Sequence, residues 1–245
     1  AGPVLLGTAV GTFFNGAEFI VHKEQLSVLS MPVISQWATP WHGLEAVLNI
    51  WNVCLGIAVF FLARVLAILY FMNNIDDESI RSQSWNRLLP ESIAFLLFFL
   101  AFLAHWLIAD GFAVNPDTQE IFMQPYKYAL NLLEMPYVTG ILLVGVILVL
   151  WGIGKTYLNP SYREGIWFSG TGTVLTVLAL LLCAGWNHTA YYPSITDLQS
   201  SLTLQNSCSS PFTLKVMSYV SILIPFVLAY IFYAWRAIDL KPGKK

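Results

Sequence analysis

The chain has 245 residues, of which 57% are hydrophobic and 11% charged, with a formal net charge of −2. Soluble domains run nearer a quarter charged, so the composition argues for a membrane protein. The near-even balance of acid and base also excludes the basic footprint of a nucleic-acid binder.

The chain opens on Ala1 inside an apolar run, "AGPVLLGTAVGTFF", with no basic flank and no small-residue cleavage site. That is not the pattern of a signal peptide, and so abrupt a start suggests a piece of a longer polypeptide. The run, about 2–20, reads as a span although Asn15, Gly16 and Glu18 interrupt it. Gly7 and Gly11 lie four apart on one helix face, where small residues let helices approach closely in lipid.

A helix needs about 20 apolar residues to cross the hydrocarbon core, and five further runs meet that length. The first, about 46–72, opens on Glu45 and contains Arg64; the next, about 90–110, opens on Glu91 and contains His105. Then come about 136–154, about 165–187 with its Gly- and Thr-rich "SGTGTVLT", and about 213–236. In the last of these Pro225 should kink the helix and free the Ser221 carbonyl. "NNIDDES", "NPDTQE", "LNPSYREG" and "YYPSITD" carry the turn chemistry of loops between spans. The expectation is an all-α, polytopic transmembrane helical bundle, one integral membrane domain over 1–245 with about six spans.

Basic residues set the direction. Arg81, Arg87, Lys155, Arg163, Arg236, Lys241, Lys244 and Lys245 fall on one side, and Lys23, Lys127 and Lys215 on the other. That asymmetry alternates loop by loop and predicts a cytoplasmic C-terminus.

Four polar residues are candidates for more than packing. Arg64 lies roughly 13 Å from the cytoplasmic end of its helix at 1.5 Å per residue. An arginine so deep costs about 2.5–3.5 kcal/mol on insertion scales, so it usually finds a partner or water. It either snorkels to the cytoplasmic phosphates or pairs inside the bundle or at a subunit contact, with Glu91 the nearest partner. A direct transport role is the third option. His105 reads as a hydrogen-bonded packing residue before a ligand. Glu45 and Glu91 read as acids favoured at helix N-termini, with a place on a proton route as the sharper alternative.

No nucleotide, zinc-protease or nucleophile-elbow motif occurs, so no catalytic or metal residue is assigned. Cys54, Cys183 and Cys208 fit no C-x-x-C or zinc spacing. They read as packing residues, with a Cys183–Cys208 bridge on one membrane face as the other option. "NHT" at 187–189 matches a glycosylation acceptor, a pattern common by chance.

The most specific stretch is "YYPSITDLQSSLTLQNSCSSPFTLKVMSYVSILIPFVLAYIFYAW". A Pro-Ser turn, then "SSLTLQNSCSS", then "TLKVM" entering a helix with "IPFVLAYIFYAW", is similar to the C-terminal end of subunit II of cytochrome bd ubiquinol oxidase. Upstream, "VLLGTAVGTFFNG", "WNVCLGIAVFFLAR" and "CAGW" resemble the same family in the same order. The likeness covers essentially all 245 residues and fits best the variants from bacteria of the Bacteroides type.

The resemblance implies a complex of the bacterial inner membrane that oxidises quinol on the outer side, reduces oxygen to water, and draws protons from the cytoplasm. Haems b558, b595 and d would belong to subunit I, the main partner. This chain would be the haem-poor scaffold, holding a quinone in some members, with lipid, the quinone pool and a small accessory subunit as further partners. The family's subunit II has about nine helices, and its suggested proton-delivery residues lie in an N-terminal third without counterpart here. No proton-route residue is therefore carried over, and these residues alone should have no oxidase activity. The competing class is a small secondary transporter or permease component. It would want paired broken helices and midplane ionisable groups, where this sequence offers Pro225 and Arg64.

Overall fold

The computed structural model describes residues 1–22 and 35–239. Lys23, Lys241, Lys244 and Lys245, used above for orientation, lie outside the described residues. The chain forms two compact units, Ala1–Leu204 and a second from Gln205 onward.

In the first unit α1 (Gly2–Asn15) is followed by a short hairpin, β1 (Phe19–Val21) with β2 (Ser35–Trp37), and a 3-10 turn, Leu44–Leu48. The long helices α2 (Ile50–Asn74) and α3 (Glu78–Ile108) come next. A second hairpin, β3 (Gly111–Val114) with β4 (Ile121–Gln124), leads to α4 (Lys127–Glu134), α5 (Pro136–Leu158) and α6 (Gly165–Gly185). The second unit is α7 (Pro211–Asp239), which runs on through Pro225 as one helix. Ser221 returns its hydroxyl to the Met217 carbonyl at 2.8 Å.

Helices α2, α3, α5, α6 and α7 are long and apolar enough to cross a membrane. Helix α1 has 14 residues, about 21 Å at the helical rise, against a core of about 30 Å. The expected all-α bundle is the observed class, with two small two-stranded sheets and three single bridges as the strand pairing among the described residues.

Helix boundaries follow local chemistry more than hydropathy. Helix α3 begins at Glu78 rather than near 90, because Asp77 caps it by accepting the Ile80 N–H at 3.0 Å. The polar stretch "ESIRSQSWNRLL" reads as loop by hydropathy, yet it has no Gly or Pro and half of its residues are good helix formers. Helix α2 is capped by Asn49, whose Oδ1 accepts the Trp51 N–H at 2.9 Å.

Small residues make the two tightest seams, as the Gly and Thr spacing predicts. A Cβ on Gly7 would meet the Cα of Gly56 at 2.7 Å, so α1 and α2 touch backbone to backbone. Where α5 meets α6, a Cβ on Gly172 would meet the Gly145 carbonyl oxygen at 2.5 Å and the Val149 nitrogen at 2.7 Å. Large residues then fill the interior: Phe14, Phe102, Trp106, Tyr128 and Val138 toward one end, and Val65, Leu69, Met72, Leu88 and Phe95 toward the other.

The ends of the bundle differ. At one end the α2–α3 and α5–α6 turns meet. Arg163 pairs with Asp76 at 2.7 Å, Arg81 donates to the Pro160 carbonyl at 2.9 Å, and the Trp85 indole donates to the Tyr157 carbonyl at 3.1 Å. At the other end residues 16–22, 111–134 and 186–204 interlock as a cap. Gly16, at φ +84°, ends α1 and turns the chain into it. The cap holds Ala17 to Ser194, Ala113 to Thr189 and Tyr192 to Leu202 by isolated bridges.

Candidate functional site

Arg64 and Glu91 face one another across the α2–α3 hairpin and form an ion pair, Nη2 to Oε1. Both lie well inside the helices, roughly 15 to 20 Å along from the connecting turn. Their surroundings are mainly apolar, with Val65, next to Arg64, and Leu88, three residues before Glu91, fully buried. The pair is unequal. The Glu91 side chain is 8% exposed and that of Arg64 46%, with its guanidinium 5.6 Å from the Phe60 ring centre.

Because α3 starts at Glu78, Glu91 does not sit at a helix N-terminus, and the macrodipole account of it fails. It follows Pro90, which has no N–H and leaves the Asn86 carbonyl without its helical donor. The second carboxylate oxygen of Glu91 and the Ser92 hydroxyl are buried with no hydrogen-bond partner in the protein. Groups of that kind are ordinarily satisfied by internal water.

The other expected residues are dispersed. Glu45 lies in the 3-10 turn before α2 rather than at the start of α2. It accepts the Gly43 N–H and the Thr39 hydroxyl, each at 3.0 Å. This is a correction to the helix-opening role, whose place Asn49 takes. His105 is in the last turn of α3, its ring stacked on Trp51 with centroids 4.0 Å apart and planes 4° from parallel. Cys54, Cys183 and Cys208 are free thiols, and Cys183 is buried with its Sγ on the Tyr128 carbonyl at 3.4 Å.

A polar cluster that sequence patterning missed joins α4 to the chain after α6. Asn131, fully buried, donates to the Cys183 carbonyl at 2.9 Å and the Thr189 hydroxyl at 2.8 Å. Asn187 donates to the Asn131 Oδ1 at 3.0 Å and also to Glu134. Lys127 donates to the Asn187 carbonyl at 3.0 Å. Asn187 and His188 both have left-handed backbone, φ +56° and +53°, a conformation that is uncommon outside glycine but in which Asn and His are enriched. Burial pushes the Lys127 ammonium below lysine's ordinary value, against the opposing pull of Glu134. In this setting the "NHT" acceptor is spent on internal contacts, with its threonine 2% exposed. The available signal was the placement of Asn131, Glu134 and Asn187 at the edges of apolar runs.

Between α1, α2, α3, α5 and α6 lies a cavity of about 470 Å³. Its walls include Leu6, Val10, Leu62, Phe99, Val146 and Leu181. The two hydroxyls on it, Thr173 and Thr176, are returned to the Ser169 and Gly172 carbonyls of their own helix at 2.8 and 2.9 Å. Such a space suits a hydrocarbon chain and offers nothing to a polar head group.

The described spanning helices are poor in axial donors for a haem: His105 is their one histidine, and one face of its ring is covered by Trp51.

Comparison with known proteins agrees with the tail and helix motifs. Residues 1–238 match the family model for cytochrome bd terminal oxidase subunit II. Among curated relatives, cytochrome bd-I ubiquinol oxidase subunit 2 of Escherichia coli strain K12 is 24% identical over 240 residues, covering 93% of this chain. The same subunit from Escherichia coli O157:H7 gives the same figures. The chain spans 59% of the length of these relatives. With a family match that runs from the first residue almost to the last described one, the chain belongs to the cytochrome bd terminal oxidase subunit II family.

Proposed function

We propose that this polypeptide is the haem-poor scaffold subunit of a bd-type quinol oxidase of the bacterial inner membrane. The complex couples quinol oxidation to reduction of oxygen to water and so builds a proton-motive force. The family match over residues 1–238 carries the reading. A single histidine in the described spanning helices accords with it, since histidine is a common axial ligand of haem. Subunit I is then the principal partner and carries the haems, and the catalytic chemistry lies there. The apolar cavity supports room for an isoprenoid or acyl tail in this chain, while a quinone head would have to find its polar contacts elsewhere. The transporter reading is not favoured by the family match.

In the same reading α1 contributes a sixth crossing, the end that gathers Arg81 and Arg163 faces the cytoplasm, and the positive-inside rule makes the C-terminus cytoplasmic. Arg64, half exposed while its partner is buried, serves as an anchor at the edge of the bundle.

The test is to purify the full-length natural protein through a tag on this subunit. The expected result is a co-purifying subunit I, a far-red haem d band and quinol oxidase activity. A preparation with this subunit intact and no haem band would overturn the proposal.

A further inference from the structure

We propose that residues 37–50 form an anchor in the lipid–water interface, with phospholipid of the leaflet at the capped end as its occupant. Trp37, Trp41, Leu44, Val47, Leu48 and Ile50 are between 42% and 84% exposed. Six large apolar side chains open to the surroundings within so short a stretch make a patch that needs cover.

The stretch is short of charge. Glu45 is the only Asp, Glu, Lys or Arg between positions 35 and 50. Its carboxylate is engaged locally by the Gly43 N–H and the Thr39 hydroxyl, so the exposed side chains of the stretch are mainly apolar, with His42 the exposed imidazole among them. The shape is set by the backbone. His42 and Gly43 both have positive φ, +51° and +91°. The Trp37 ring lies over Gly43, where a Cβ would meet it at 2.9 Å.

The depth of the patch argues for lipid as the occupant. Asn52, in the first turn of spanning helix α2, donates to the Ala46 carbonyl at 3.2 Å. It also accepts from the Asn15 side chain at 2.7 Å. The 3-10 turn is therefore folded down against the head of α2 instead of standing above it in water. Where a span begins, the surrounding medium is the headgroup and glycerol region, about 5 to 8 Å thick on each side of the core. Tryptophan is enriched at that level because its ring is apolar and its N–H is polar. A short element with its apolar side outward at that depth lies in the interface.

The experiment places photoreactive benzoylphenylalanine at position 41, and separately at position 48, in the full-length protein within its complex. The complex is held in nanodiscs of phosphatidylethanolamine and phosphatidylglycerol. After irradiation and digestion, mass spectrometry should find phospholipid adducts at both positions and none at position 117, on the exposed tip of the β3–β4 hairpin. An adduct to a polypeptide at 41 or 48 would show that a protein partner covers the patch and would overturn the proposal, as would the absence of any lipid adduct. As a second measurement, lipids brominated in the acyl chain should quench tryptophan fluorescence less in the Trp37→Phe/Trp41→Phe variant than in the unmodified protein. An equal quenched fraction overturns it too.

Discussion

The Arg64–Glu91 region and the cap at the opposite end of the bundle handle polarity in opposite ways. Around Arg64 and Glu91 the helices are apolar, and polarity is concentrated in one ion pair and two unpartnered oxygens. In the cap, polarity is spread over many bonds, most of them between a neutral side chain and a backbone group, with Asp197 accepting from the Ser200 hydroxyl and the Gln199 N–H. Ser194 donates to the Phe19 carbonyl, and the Val21 N–H donates to the Ser200 hydroxyl at 3.0 Å. Gln199 both donates to the Ile121 carbonyl at 2.9 Å and accepts its N–H at 3.2 Å. In the first region one substitution should remove most of the polar order; in the second no single loss should be large.

The largest effect is expected at Arg64. In Arg64→Leu a carboxylate that is 8% exposed loses its counter-charge, and breaking buried pairs in this way costs about 3–5 kcal/mol. Glu91→Gln should be milder, because Arg64 is half exposed and its long stem can carry the charge toward the interface. The Arg64→Leu/Glu91→Leu double variant should recover much of the loss, since two apolar residues of similar size replace a pair of ions. Thermal denaturation of the full-length complex measures all three. Recovery of subunit I through a tag on this chain tests the anchor role separately. If Arg64 only balances Glu91, the double variant restores recovery; if it grips the partner, both Arg64→Leu variants lose it.

Next in size are the helix seams. Gly172→Val would drive a side chain into the backbone of α5, where a Cβ already meets the Gly145 oxygen at 2.5 Å. Overpacking of this kind costs about 1–3 kcal/mol. Gly170 lies on the same helix with nothing within 4 Å of an added Cβ. Gly170→Ala should therefore stabilise by up to about 1 kcal/mol from helix propensity. A loss of similar size in both variants would break the seam argument.

How far these features were legible follows from the range of the interactions. Spans can be read because hydropathy is local, and the small-residue seams because Gly7, Gly11 and the Gly172 region recur at helical spacing. Glu91 was legible as a partner of Arg64, since it is the acid at the opening of the next apolar run. Its position deep in α3 was not legible. The polar residues 78–89 hide a helix from a hydropathy reading, and the Asp77 cap that starts it decides the boundary. The cap was hardest to read. Ser194 binds Phe19, and Asn131 binds Cys183 and Thr189, pairings over long sequence separations that no local pattern announces. The same stretch carried the family likeness, so its residues were recognisable before their physical task was.

Within the cap, Asn131→Ala should be the costliest single change. It deletes two donated bonds and the acceptor for Asn187, leaving buried partners unsatisfied at about 1–3 kcal/mol. A denaturation midpoint unchanged from the unmodified protein would mean that water replaces Asn131 freely, and that the cap is looser than its contacts suggest.

The smallest effect is at Tyr128, where pH gives it a signature. Its hydroxyl donates to the Phe14 carbonyl at 3.0 Å and ties α4 to the end of α1. Tyr128→Phe should cost about 1 kcal/mol near neutral pH. Burial holds the phenol above tyrosine's ordinary value, so the folded state keeps a proton that the unfolded chain releases near pH 10. The contribution of Tyr128 is then fully present below about pH 10 and is lost as pH rises beyond it. Lys127 has the opposite sign. Its value is depressed, so its penalty is present at low pH and fades as pH approaches the ordinary lysine value. That term is common to the unmodified protein and the Tyr128→Phe variant and cancels in their difference. The stability gap between the two should therefore be flat up to about pH 10 and narrow above it. A gap that stays constant through that range would show that Tyr128 ionises as freely in the folded cap as in the unfolded chain.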